Sequence, residues 1–197
     1  MSMENDIDIE ALKNSKEFLA NLDLLEEEMR SKESIKKGYQ LLDSLILIEA
    51  DEERINDVFT FILNHAFDRL SDNLTKKNTF NMREEEDIST VRAIYEHAIQ
   101  IYSDRSFKSA KELFLVLYHV VDYYKLQESM MIHAVNAMKK IEFDDFIESI
   151  VDTKKFDPNV ELAHFLLYFT VEPKYYLDHN RELVEKAKEE LKVLNEG

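Results

Sequence analysis

The near absence of glycine and proline constrains this chain more than any other feature of its sequence. Two glycines and two prolines occur among 197 residues, whereas these two types together make up about 12% of an average protein. β-Hairpins and tight turns depend on them, and the loops that bind nucleotide phosphates are glycine-rich. We therefore predict an all-α fold. A β-sandwich or β-barrel is disfavoured, and P-loop and Rossmann nucleotide sites are excluded.

An excess of acidic side chains limits the classes of partner. The sequence contains 41 acidic and 25 basic residues, which gives a formal net charge of −16. A surface of this sign repels nucleic-acid backbones and anionic membranes. The longest apolar run, residues 113–118, is far shorter than the ~20 residues that cross a bilayer, and residues 1–10 lack the basic start of a secretory signal. The composition predicts a cytoplasmic protein that binds neither nucleic acid nor membrane.

Residues 1–34 are predicted to form an acidic N-terminal arm followed by an amphipathic helix. Apolar side chains share one face of this helix at Phe18, Leu22, Leu25 and Met29, beside a run of glutamates. The stripe has two interpretations. It either docks on the core of its own chain or, because it is narrow like a coiled-coil seam, it pairs with a second copy. These four residues are the candidate dimerisation face of a homodimer.

Residues 35–85 are predicted to form a helical hairpin and a charged linker. Apolar periodicity indicates helices over residues 35–50 and 55–70. Asp51, followed by two glutamates, is typical of an N-cap with an acidic first turn. Periodicity is then lost over residues 71–88, where charges are dense. We therefore place a domain boundary near residue 85.

Residues 86–197 are predicted to be a series of helical hairpins joined by short loops. The apolar pattern indicates helices over residues 88–104, 107–121, 126–140, 143–153, 159–170 and 179–194. Such a series prompts a search for a helical repeat. The tetratricopeptide pattern requires small residues where two helices approach closely and aromatic residues between successive hairpins.

Two copies of that pattern can be read in the sequence. The first has Ala98, Ile101, Phe107, Ala110 and Phe114 in the required order. The second has Ala134, Ala137, Phe143, Phe146 and Ile150. A third hairpin, 159–194, has the right lengths and little of the signature. The alternative is an ordinary helical bundle in which Ala and Phe recur on core faces.

The first copy resembles a known family more closely than a generic repeat does. The residues that carry the likeness are the stretches 94–102 and 107–117, followed by Asp122, Tyr123 and Tyr124. They resemble the class II, tetratricopeptide-repeat chaperones of bacterial type III secretion systems. The resemblance covers about residues 90–170 of this chain. It implies a tetratricopeptide-like superhelix and a secreted client protein, either a translocator or an effector.

An apolar row on the predicted A helices would face the concave side of such a superhelix. Its members are Tyr95, Ile99, Tyr102, Met131, Val135, Met138, Phe165 and Phe169. Tyr, Met and Phe suit a peptide-binding groove, since aromatics supply contact area and Met adapts its shape. The family resemblance implies that Tyr95, Ile99 and Tyr102 match groove positions. The alternative interpretation is that these residues are plain core.

Catalytic and metal-binding patterns are weak. The chain has no cysteine, which excludes disulfides, cysteine zinc sites and a thiol nucleophile. Glu161 and His164 have the spacing used in di-iron bundles, but such a site needs a second copy of that pair and two further carboxylates. No nucleophile elbow or His-Glu-x-x-His motif occurs. We therefore predict a protein that is not an enzyme and has no metal or cofactor.

Two functions of different classes follow from these observations. The first is a cytosolic, non-catalytic chaperone or adaptor that binds an apolar segment of a type III secreted protein and keeps it from aggregating. The second is a helical-repeat structural or regulatory protein that forms a homo-oligomer and has no secreted client. The family resemblance favours the first.

Overall fold

A computed structural model of the chain describes residues 9–160 and 162–196. Over these residues the protein is all-α, with no β-sheet, as predicted. Helices that follow one another pack as antiparallel neighbours. The ten helices of the described residues are α1 (Ile9–Asn14), α2 (Lys16–Lys32), α3 (Ile35–Leu47), α4 (Glu52–Lys76), α5 (Glu85–Ser103), α6 (Phe107–Val120), α7 (Tyr124–Met138), α8 (Phe143–Ser149), α9 (Pro173–His179) and α10 (Arg181–Glu196).

The chain forms two compact units, Met1–Asp68 and Arg69–Gly197. Helix α4 begins in the first unit and ends in the second. The division comes earlier than the boundary that the sequence predicted near residue 85. Much of the expected linker at 71–88 is in fact regular structure, because α4 continues to Lys76 and α5 already begins at Glu85.

Polar side chains start the helices of the first unit. The hydroxyls of Ser15 and Ser34 accept hydrogen bonds from backbone N–H groups in the first turns of α2 and α3. A carboxylate oxygen of Asp51 lies 2.7 Å from the backbone nitrogen of Glu53, so the N-cap predicted there is confirmed. Each cap satisfies an N–H group that has no partner within the helix.

The core of the first unit lies between α2, α3 and the first part of α4. Helix α2 packs on α3, and Leu22 and Met29 are fully buried. Gly38 allows a close approach, because a Cβ atom there would lie 2.6 Å from Cγ1 of Ile62. At Leu22 and Met29 the predicted dimerisation face therefore packs within its own chain. The other two members of that face, Phe18 and Leu25, are half-buried.

The second unit is built on the hairpin of α5 and α6. Helix α7 packs on α6, α8 packs on α5, and α9 and α10 pack on α7. The four alanines of the two predicted repeats are buried, as close helix approach requires. They are Ala98, Ala110, Ala134 and Ala137. The aromatic residues Phe114 and Phe146 are also fully buried. The other four marker residues, Ile101, Phe107, Phe143 and Ile150, are half-buried.

The helix predicted over residues 159–170 is wrong. After α8 and a single 3-10 turn at Thr153–Lys155, the described chain contains no helix until Pro173, which starts α9. An irregular connection therefore replaces the first helix of the third predicted hairpin, whereas its second helix, predicted over residues 179–194, is present as α10. An Asp157–Asn159 turn, in which the Asp157 carboxylate accepts from the Asn159 N–H at 2.9 Å, interrupts the chain where that helix would begin.

Candidate functional site

The predicted groove residues lie mostly in the interior of the second unit. Six of the eight side chains are buried: Tyr95, Tyr102, Met131, Val135, Phe165 and Phe169. The remaining two, Ile99 and Met138, are half-buried. The expectation of an exposed apolar row is therefore not met. Other side chains of the same unit cover this row: the ring of Tyr95, for example, packs near the rings of Phe114, His133 and Phe165.

Tyr95 belongs to a buried hydrogen-bond network that holds the irregular connection against the helices. Its hydroxyl oxygen lies 3.1 Å from Nε2 of His133 and 3.2 Å from the backbone nitrogen of Leu166. Nδ1 of His133 lies 2.8 Å from the Ser129 carbonyl oxygen. The Ser129 hydroxyl donates to the Leu166 carbonyl oxygen at 2.6 Å. Both backbone polar groups of Leu166 are therefore satisfied without a helix.

The pairing of Ser129 with His133 does not form a catalytic arrangement. Both side chains are fully buried, and the Ser129 hydroxyl proton is engaged by the carbonyl of Leu166. Burial lowers the pKa of His133 to about 4, against the opposing effect of its hydrogen bond to the Ser129 backbone. A neutral, buried imidazole suits a structural role, because it orients its neighbours without reaching a substrate.

The irregular connection between α8 and α9 exposes several large apolar side chains. Phe156 is 56% exposed, and Val160 and Tyr168 are each 42% exposed. Two cavities of about 230 and 190 Å³ flank the Phe156 side chain, and Leu167 lines both. We call the set Phe156, Val160, Leu167 and Tyr168 the Phe156 surface. Large exposed apolar groups of this kind mark interaction sites more often than isolated ones do.

The apolar pattern of residues 159–170 predicts a helix and so gives no sign of the Phe156 surface. A usable signal was present. The run Leu166 to Val171 reads Leu-Leu-Tyr-Phe-Thr-Val, which is rich in the aromatic and β-branched residues that favour extended chain. This composition disfavours a helix over residues 166–171, and the structure forms none there.

A second concave region lies between α7, α9 and α10. This groove has a volume of about 600 Å³ and is lined by both charge signs, including Glu128, Lys174 and Lys188. Burial raises the pKa of Glu128, and the nearby Glu172 carboxylate acts in the same direction. Tyr124, 61% exposed, stands at its edge. Its mixed charge distinguishes this groove from the apolar Phe156 surface.

The histidine and carboxylate pattern noted in the sequence cannot be assembled from the described residues. Glu161 lies outside them, and His164 is exposed. In the part of the chain that the structure describes, no group of three or more His, Asp or Glu side chains is arranged to hold a metal ion. Within the same residues, no helix is both long and apolar enough to cross a membrane.

Comparison with known proteins gives no relative for this chain. No protein-family model, curated protein or solved structure matches it.

Proposed function

We propose that this protein is a non-catalytic adaptor or chaperone that binds an apolar segment of a partner protein through the Phe156 surface. The observation that carries the proposal is that the exposed side chains of Phe156, Val160 and Tyr168 together line one cavity of about 230 Å³. Exposed aromatics contribute little to folding, since burial is the source of the ~25 cal/mol per Å² that apolar surface supplies. In a complex they become the anchors that dominate affinity.

The resemblance to class II secretion chaperones supports a particular class of partner. It makes the partner a translocator or effector of a type III secretion system, bound in the cytoplasm before export. The burial of Ala98, Ala110, Ala134 and Ala137 supports a tetratricopeptide-like packing for the hairpins that carry the surface. In this proposal the protein acts by mass action, because a bound apolar segment is withdrawn from aggregation.

Substitution of the exposed aromatics tests this proposal. The double change Phe156→Ser with Tyr168→Ser removes the anchors, while Tyr124→Ser with Tyr175→Ser removes two more exposed aromatics elsewhere in the second unit. Partners are purified from the native host with the wild-type protein, and their affinities are measured by calorimetry. We expect the first variant alone to lose the partner while both variants melt with the parent. Equal binding by the first variant would reject the surface.

A second function is favoured by exposed leucines in the first unit. Leu24 is 59% exposed and Leu19 is 39% exposed on α2, and Ile46 is 55% exposed on α3. We propose as the alternative that these side chains form a homo-oligomer with a structural or regulatory role and no client. A defined oligomer that purifies without any second protein, and whose mass falls on Leu24→Ser, would favour this alternative over the chaperone.

A further inference from the structure

A small pocket in the second unit has a charge opposite to that of the whole protein. It lies between the start of α6, the end of α7 and one face of α10, and its volume is about 220 Å³. Glu190 is the one acidic side chain among the described residues that line it, whereas the basic ones are Lys108, Lys111, Lys140 and Lys186. The sequence as a whole has 41 acidic and 25 basic residues. We call this site the lysine pocket.

Most of the positive charge of the lysine pocket is not neutralised within the protein. The side chain of Lys111 is only 12% exposed and pairs with Glu190. Nζ of Lys108 lies 4.0 Å from a carboxylate oxygen one turn further along α6, and both side chains are more than half exposed, so this pair is weak. Lys140 and Lys186 are exposed and form no ion pair with any residue that the structure describes. Three ammonium groups therefore remain available to a ligand at the edge of the pocket.

The floor of the lysine pocket is apolar. Ala137 is buried, and Phe107, Met138 and Leu183 are half-buried. The volume is below the ~300–1,000 Å³ of sites for drug-sized ligands, so the pocket fits one large side chain better than a whole small molecule. Lysine ammonium groups are flexible point charges, whereas arginine is preferred where a phosphate is recognised by bidentate geometry. The chemistry of the pocket therefore favours carboxylates next to one apolar group.

We propose that the lysine pocket binds an acidic segment of a partner protein, which places one large apolar side chain on the apolar floor and its flanking carboxylates beside Lys108, Lys140 and Lys186. Charge complementarity identifies this occupant. The net charge of −16 repels an acidic segment from the protein as a whole, so the attraction at this pocket determines where such a segment binds. The inference does not depend on the Phe156 surface and assigns a second, separate contact to the protein.

The probe for this proposal is a synthetic peptide with blocked ends, in which four glutamates flank a central phenylalanine. Two matched peptides replace the phenylalanine by alanine or the glutamates by lysines. The methionine methyl groups of the protein are labelled with ¹³C, and the NMR signal of Met138, identified by its loss in Met138→Leu, is followed during titration. We expect the phenylalanine peptide with glutamates to shift this signal and to bind at least about tenfold more tightly than either matched peptide. Added salt should weaken its binding, because exposed charges are screened.

Charge reversal in the protein gives the complementary measurement. The double change Lys140→Glu with Lys186→Glu should weaken binding of the acidic peptide by about tenfold or more. The control, Lys125→Glu with Lys154→Glu, changes the net charge equally at two exposed lysines outside the pocket, and its affinity should stay within about twofold of the parent. All four lysines are exposed, so both variants should melt with the parent. Equal losses in the two variants would show a general charge effect and overturn the site.

Three further results would overturn the assignment of the occupant. Equal affinity for the phenylalanine and alanine peptides would show that no apolar anchor enters the pocket. Displacement of the peptide by inorganic phosphate would show that the lysines bind a small anion. A dimer of the free protein that Lys140→Glu with Lys186→Glu dissociates would make the occupant a second copy of this chain. The Phe156→Ser with Tyr168→Ser variant should bind the acidic peptide as the parent does, so failure of this inference leaves the proposed function standing.

Discussion

The hydroxyl oxygen of Tyr95 lies 3.1 Å from Nε2 of His133, and this pair joins α5 to α7 in the interior. The donors can be assigned from the neighbours. The Ser129 carbonyl can only accept, so Nδ1 of His133 carries the proton and Nε2 accepts from the Tyr95 hydroxyl. That hydroxyl oxygen in turn accepts from the Leu166 N–H. Both ring nitrogens of a neutral His133 therefore have a hydrogen-bond partner.

Removal of one oxygen atom from this network should destabilise the second unit. Tyr95→Phe keeps the ring and leaves Nε2 of His133 and the Leu166 N–H without a partner in a buried site. We expect the free energy of unfolding to fall by about 1–3 kcal/mol. Tyr175→Phe is the control, because that ring is 58% exposed and the change should be nearly neutral. Chemical denaturation measures both, and an unchanged Tyr95→Phe midpoint would contradict the network.

The stability of the protein should fall in mild acid because of His133. Burial lowers the pKa of His133 in the folded state to about 4, from 6.5 in the unfolded chain. As the pH falls below 6.5, the unfolded chain binds a proton that folded His133 does not accept, so unfolding is favoured progressively down to about pH 4. The linkage is worth roughly 3 kcal/mol over that interval.

The control for this pH dependence is His133→Gln. Glutamine does not titrate, so the variant should be less stable at pH 7 and should lose less stability between pH 6.5 and 4. Unfolding free energies from urea titrations at a series of pH values give the two slopes. Parallel curves for the variant and the parent would show that carboxylates, rather than His133, produce the acid sensitivity.

Because glycine is scarce, residues with a Cβ atom adopt the left-handed backbone conformation at the ends of several helices. Among the residues that the structure describes, five non-glycine residues have positive φ, and each follows a helix: Glu33, Glu49, Lys77, Arg105 and Lys140. Lys77 has φ 55°, and the Asn78 N–H closes the end of α4 on the Asn73 carbonyl oxygen at 2.9 Å. This is the position at which glycine is preferred, because it has no Cβ to oppose a left-handed conformation.

Glycine should therefore stabilise the protein at Lys77 and destabilise it one residue earlier. Lys77→Gly relieves the left-handed strain and should raise the free energy of unfolding by about 1 kcal/mol. Lys76→Gly removes the same charge from the last residue of α4 and should lower it by about 0.5–1 kcal/mol. Thermal melting of the two variants measures the difference. The same sign for both would show that charge, and not backbone conformation, is responsible.

The regular helices of this chain could be predicted from apolar periodicity. The pattern at Phe18 to Met29 indicated α2, and those of the later hairpins indicated α5, α6 and α7 within a few residues. Periodicity identifies which face of a helix is apolar. It does not identify what covers that face: the pattern places Tyr95 and Tyr102 in a groove, whereas other elements of the same chain bury them.

The irregular connection could not be predicted in the same way. Its backbone is held by distant partners, such as the hydroxyls of Tyr95 and Ser129 at Leu166 and the backbone of Asp152 at Tyr168. A local pattern contains no information on those contacts, and the apolar residues 162–169 fit a helix equally well. Exposure of Phe156 likewise follows from the path of the connection, and no feature of its neighbours in sequence indicates it.

Substitution of two leucines of α2 tests whether this helix belongs to the core of its own chain or forms a dimer contact. Leu22 is fully buried, whereas Leu24 is 59% exposed on another face of the same helix. Leu22→Ala should lower the free energy of unfolding by about 2–5 kcal/mol, because it leaves a cavity in the first unit. Leu24→Ala should change that free energy by less than about 0.5 kcal/mol. Both variants should keep the mass of the parent in solution if α2 serves only its own chain, which sedimentation measures directly. If Leu24→Ala halves the mass and leaves melting unchanged, the dimer contact lies on the exposed face of α2. If Leu22→Ala halves the mass and the protein still folds, the dimerisation face that the sequence predicts is correct.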